Sequence, residues 1–113
     1  MDLARKHCEP CEGGVKPFGK KEIKKYLKFL NTHWKVNNDK EIEKEFKFKD
    51  FKEAIRFVNK TAEIAEAEGH HPDITINYNK VKINLSTHAI KGLSVNDFIL
   101  ARKIESLYQK DLK

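Results

Sequence analysis

No apolar run in the chain is longer than four residues, the longest being Phe98-Ile99-Leu100-Ala101. A membrane-spanning helix needs about 20 such residues and a secretory signal core about 7–15. Neither is expected, which points to a soluble, cytoplasmic protein. Cysteine is scarce: Cys8 and Cys11 both lie in His7-Cys8-Glu9-Pro10-Cys11. Two thiols at this spacing make half of a four-ligand zinc site, and His7 can add a third ligand, but no second pair follows. A redox pair of this spacing opens a helix after a strand, whereas this one sits in a terminal segment with Pro10, Gly13 and Gly14. A flexible, reduced tail is expected, with a metal site shared between subunits as the alternative. The chain has no glycine-rich phosphate loop and no Gly-x-Ser-x-Gly elbow. It also lacks a stripe of one charge. The net charge is +6, but lysines alternate with glutamates, as in Lys40-Glu41-Ile42-Glu43-Lys44-Glu45. That pattern is the solvated surface of helices and strands more than a nucleic-acid footprint.

What is present fits one domain. At 113 residues the chain is too short for two independent cores, and 39% apolar against 35% charged residues is polar but not disordered. Residues 1–18 read as an irregular N-terminal arm, and 19–113 as a single domain. Ile23, Tyr26, Leu27 and Leu30 fall at helical spacing, with Asn31 as the expected end. Alternation from Trp34 to Phe48 around Asn37-Asn38-Asp39 predicts a β-hairpin. A second helix is expected over 50–68, capped by Asp50, with Phe51, Ala54, Ile55, Val58, Ala62 and Ala65 on its buried stripe and Gly69 ending it. Ile74, Ile76 and Tyr78, then Val81, Ile83 and Leu85, alternate about a tight turn at Asn79-Lys80. A last helix starts near Ser94 and buries Phe98, Ala101, Ile104 and Tyr108 or nearby residues. The order α-β-β-α-β-β-α predicts an α+β fold, a four-stranded antiparallel sheet with helices packed on its apolar face. An uncovered sheet edge is normally paired or blocked, so a homo-oligomer is expected.

Three histidines gather where elements join. His70 and His71 lie between a helix and a strand, and His88 follows the last strand. Imidazole exchanges a proton near pH 7, so converging histidines suit general acid–base work; an exposed pair plus an unrelated third is the bland alternative. Glu66, eleven residues after Ile55, returns to the predicted stripe, where a carboxylate calls for a partner such as a histidine; the alternative is a carboxylate at the end of the stripe that has already reached solvent. Ser94-x-x-Asp97 reads as an approximate capping box, a structural role that leaves room for a place on a pocket wall. Three histidines with Glu66 could also bind zinc or iron, although adjacent histidines before Pro72 diverge in direction.

The string Glu66-x3-His70-His71-Pro72-x5-Tyr78-x9-His88-x8-Asp97 resembles the signature of the pterin-4a-carbinolamine dehydratases. Phe46-Lys47-Phe48-Lys49-Asp50-Phe51, Tyr78-Asn79-Lys80-Val81, Leu85-Ser86-Thr87-His88, Gly92-Leu93-Ser94 and Trp34 agree with it, and the resemblance spans about residues 20–108. One departure is Ala89, where the family usually has an acidic residue. The resemblance implies dehydration of a 4a-hydroxytetrahydropterin to the quinonoid dihydropterin in tetrahydrobiopterin recycling, with no metal or other cofactor. It implies proton transfers by His70 and His88, pterin binding by His71, support from Glu66 and Asp97, and a homodimer or homotetramer. Some animal members of the family also act as transcriptional coactivators, so a protein-binding module is the alternative function, beside a role in pterin or molybdopterin metabolism with the same pocket.

Overall fold

The alternating apolar residues of the two predicted hairpins lie on one face of a single antiparallel sheet. In the computed structural model, which describes residues 3–8 and 16–111, the sheet comprises β1 (Lys35–Asn37), β2 (Glu41–Lys47), β3 (Asp73–Asn77) and β4 (Lys80–Leu85). Their spatial order is β1-β2-β4-β3. The two hairpins meet along a central β2–β4 seam, where Ile42 lies opposite Leu85 and Phe46 opposite Val81. Ile42, Phe46, Val81, Ile83 and Leu85 are all buried there. Asn38 and Asp39 carry the left-handed backbone of the first hairpin turn, a conformation their short polar side chains tolerate. The second turn falls on Tyr78-Asn79, one residue earlier than expected, because Lys80 pairs with Asn77. Asn79 is tied to the end of β2 instead: its carbonyl accepts from Phe48 N–H at 2.8 Å and its amide donates to the Phe48 carbonyl at 3.0 Å.

Three helices cover the apolar face: α1 (Lys20–Leu27), α2 (Phe51–Glu68) and α3 (Val95–Asp111). Helix α1 stops four residues before Asn31. Phe29 and Leu30 turn more tightly, and the N–H groups of Asn31 and Thr32 donate to buried Glu105 at 3.0 and 2.9 Å. Glu105 also accepts from the Thr32 hydroxyl and, at 3.0 Å, from the indole of Trp34, so a charge in the core is fully partnered. Asp50 caps α2 by accepting from Glu53 N–H at 2.9 Å, and Gly69 ends it at φ 64°.

The buried face of α2 is rotated from the expected stripe. Ala54, Phe57, Thr61 and Ala65 are buried, Ile55 and Val58 are half-buried, and Phe51 and Ala62 are exposed. Phe57 sets this orientation, its ring 5.0 Å from those of both Phe46 and Phe48. Of the arm expected over residues 1–18, Leu3–Arg5 form one 3-10 turn against α3. Leu3 is 1% exposed, and Lys103 donates to the Ala4 carbonyl at 2.8 Å. Cys11 lies outside the described residues.

Candidate active site

Each candidate side chain is carried by the end of a regular element. At the C-terminus of α2, Gly69 N–H donates to the Glu66 carbonyl and His70 N–H to the Ala65 carbonyl, each at 3.2 Å. These bonds satisfy the last carbonyls of the helix and pin the backbone of His70. Beyond β4, Thr87 N–H donates to the Gly92 carbonyl at 2.7 Å, and His88–Ile90 make one 3-10 turn between them. Gly92 is required at the base of this loop, since a Cβ there would sit 2.5 Å from the Pro17 Cβ.

The start of α3 supplies Asp97, which is fully buried. Its Oδ2 accepts from Ser94 N–H at 3.0 Å and from the Thr87 hydroxyl at 2.8 Å; its Oδ1 accepts from His70 Nε2–H at 2.6 Å. Ser94 Oγ lies 2.8 Å from Thr87 Oγ1 and accepts from Asn96 N–H at 3.3 Å. The Ser94–Asp97 capping interaction and the His70 contact are thus made by one carboxylate. With Nε2 committed to Asp97, Nδ1 is the uncommitted His70 nitrogen, with no protein partner among the described residues.

His70, His71 and His88 line a single cavity of about 370 Å³, together with Thr87, Glu68, Asn96 and Cys8. That volume suits a small-molecule site. His71 and His88 are exposed at the cavity, whereas the His70 side chain is only 11% exposed. Glu66 is not among the lining residues; it points to solvent, 81% exposed, and accepts from His71 Nε2–H at 2.8 Å. The expected carboxylate–histidine contact therefore exists, but on the surface. Among the described residues no three His, Cys, Asp or Glu side chains are arranged to hold a metal ion.

The buried carboxylate of this helix end is Glu68, which sequence reasoning missed. Its side chain is 7% exposed, and it accepts from Cys8 N–H at 2.7 Å and from the His7 ring at 3.0 Å, with Lys103 3.7 Å away. Burial raises its pKa, but the Cys8 and His7 hydrogen bonds and the Lys103 charge more than offset this and leave it below the usual carboxylate value. A signal was available. Eleven residues separate Glu68 from Phe57, as eleven separate Glu66 from Ile55, and Phe57 is the one fully buried. Asn96, Thr87 and Cys8 carried no spacing signal toward the cavity.

Residues 16–107 match the family model described as pterin 4 alpha carbinolamine dehydratase. A protein of Alkaliphilus metalliredigens, provisionally named pterin-4-alpha-carbinolamine dehydratase, is 50% identical over 104 residues, covering 92% of this chain and 94% of its own. A similarly named protein of Nitrosospira multiformis is 48% identical over 108 residues, covering 96% and 94%. Among solved structures, a transcriptional coactivator/pterin dehydratase from Brucella melitensis superposes with a TM-score of 0.76 at 33% identity, covering 82% of this chain and 99% of that one. A pterin dehydratase-like RuBisCO assembly factor of the alpha-carboxysome shares the fold at a TM-score of 0.60 and 20% identity, covering 69% and 92%.

Proposed function

Because the chain belongs to the pterin 4-alpha-carbinolamine dehydratase family, we propose that it removes water from a 4a-hydroxytetrahydropterin by histidine acid–base catalysis. The reaction needs a base for a ring N–H and an acid for the departing hydroxyl. As the N–H bond breaks, its electron pair forms the C=N bond, the C–O bond at 4a breaks, and the hydroxyl leaves as water with the acid's proton. The observation that carries this reading is the convergence of His70, His71 and His88 on one cavity, with His70 held at 2.6 Å by buried Asp97.

His70 Nδ1 is the proposed proton-transfer atom on the cavity floor. Asp97 accepts the Nε2 proton, so it selects the tautomer with Nδ1 unprotonated and stabilises the imidazolium once Nδ1 has taken a proton. His88 is the proposed partner in proton transfer, acting from the exposed rim, and His71 binds and orients the pterin. Glu66 supports His71 from solvent. The enzyme is proposed to work as a homodimer or larger homo-oligomer. The outer edge of β3 has no strand partner among the described residues, and Ile76 on that strand is 41% exposed.

A dehydration assay on 4a-hydroxytetrahydropterin, corrected for the spontaneous rate, tests the reading. Turnover above background that falls in His70→Ala and His88→Ala is expected. A wild-type protein that adds nothing to the spontaneous rate would overturn it and leave the protein-binding alternative, which the name of the Brucella relative also carries.

A further inference from the structure

The His7-Cys8 segment plays no part in the acid–base chemistry, yet Cys8 lines the same cavity as the three histidines. It reaches that position through several contacts. Leu3 is buried, and Lys103 on α3 donates to the Ala4 carbonyl at 2.8 Å. Glu68 accepts from Cys8 N–H at 2.7 Å and from the His7 ring at 3.0 Å. The Cys8 thiol lies 3.6 Å from the Asn96 carbonyl at the start of α3. Residues 3–8 therefore bridge the end of α2 to the start of α3. Those are the two helix ends that present His70 and Asp97.

We propose that residues 3–8 form a docked arm that closes one wall of the pterin cavity, and that Glu68 is the positioning residue that holds it there. Leu3 and Lys103 would suffice to anchor the beginning of the arm. The Glu68 bond to Cys8 acts at the cavity, where both residues are lining groups. Glu68 takes no proton from substrate in this scheme; it acts through the arm. The closed wall lowers the free energy of bound pterin by excluding water and fixing its approach to His70, so undocking should raise KM and leave kcat largely unchanged. This inference rests on the proposed pterin dehydration.

The test uses the full chain carrying Cys11→Ser, which leaves Cys8 as the single thiol. The rate of Cys8 alkylation by iodoacetamide is measured with and without biopterin, an unreactive pterin, beside KM and kcat for the hydroxylated substrate. Biopterin is expected to slow alkylation. Glu68→Ala should speed it by about tenfold or more, the equivalent of losing a hydrogen bond to a charged acceptor. KM should rise by about three- to tenfold with kcat within about twofold of wild type. Glu68→Gln keeps a carbonyl oxygen for Cys8 N–H and should fall between. His7→Ala, an exposed change on the arm, should shift both readouts in the same direction even if Glu68→Ala fails to fold.

Faster alkylation with unchanged KM and no protection by biopterin would overturn the arm as a wall. Alkylation unchanged in both Glu68→Gln and His7→Ala would overturn Glu68 as its anchor. If the wild type shows no turnover, the dehydratase reading fails separately, and protection of Cys8 by biopterin still decides whether the arm borders a pterin site.

Discussion

Two adjacent histidines each hold a carboxylate at nearly the same distance, His70 to Asp97 at 2.6 Å and His71 to Glu66 at 2.8 Å. Distance does not separate them; burial does. The first pair is 11% and 0% exposed, and Asp97 has two further donors, Thr87 and Ser94. The second is 64% and 81% exposed, with each partner free to trade the other for water. In the interior, removing one partner strands the other in a medium that cannot solvate it. On the surface the same loss is screened. The comparison teaches that a carboxylate–histidine contact fixes an imidazole when the carboxylate cannot leave, and otherwise only biases a side chain.

The largest effect that could break this contrast is on turnover. His70→Ala and His88→Ala should each lower kcat by about 10²–10⁴-fold, the usual worth of a positioned acid or base, whereas His71→Ala should act mainly on KM. Initial rates against substrate concentration check this, and the spontaneous dehydration in water places the losses toward the lower end. Equal kcat losses at His70 and His71 would erase the distinction.

Stability should separate the carboxylates next. Asp97→Ala removes the shared acceptor of His70, Thr87 and Ser94 and should cost about 3–5 kcal/mol in denaturant unfolding. Glu66→Ala should cost less than about 1 kcal/mol. Costs of similar size for the two would show that burial is not the deciding term.

Glu68 sharpens the comparison, being two residues from Glu66 on the same helix yet buried against His7, Cys8 and Lys103. Its pKa is lowered in the folded protein, so the unfolded chain binds its proton more tightly. The stability it contributes is present above the ordinary carboxylate value of about 4.3 and is lost as pH falls through the lower, folded one. The gap in Tm between wild type and Glu68→Gln should therefore hold from pH 7 down to about 4.3 and narrow below it. The smallest effect is expected at Glu66→Gln, where turnover and Tm should stay near wild type. A KM change there would mean that His71 needs its surface partner to orient the pterin.

Much of this was legible in the sequence because the signals were local. Period-two alternation, the Asp50 cap and the Gly69 terminator each depend on neighbours within one turn or one strand pair. The α2 stripe was not fully legible. Ile55 and Phe57 are both apolar and flank the Ala54–Ala65 line from nearly opposite sides of the helix, and only packing against Phe46 and Phe48 decides which one faces inward. That two-residue choice is what displaced attention from Glu68 to Glu66. The resemblance brought His70, His71, His88 and Asp97 forward together; the cavity they border, and the arm beside it, depend on contacts between residues up to 99 positions apart.

The β2–β4 seam has a further consequence, for the order in which the molecule assembles. Each hairpin closes a short loop, but the seam pairs Phe46 with Val81 and Ile42 with Leu85 across the whole of α2 and β3. Closing so long a loop before its contacts can reward it is the slow event in chains of this topology. His70 and His71 sit within that loop and His88 just beyond its end, so His88 is not fixed beside the His70-His71 pair until the seam has formed. Partly folded chains would carry both hairpins and still lack the cavity, which would couple the proposed activity to formation of the seam.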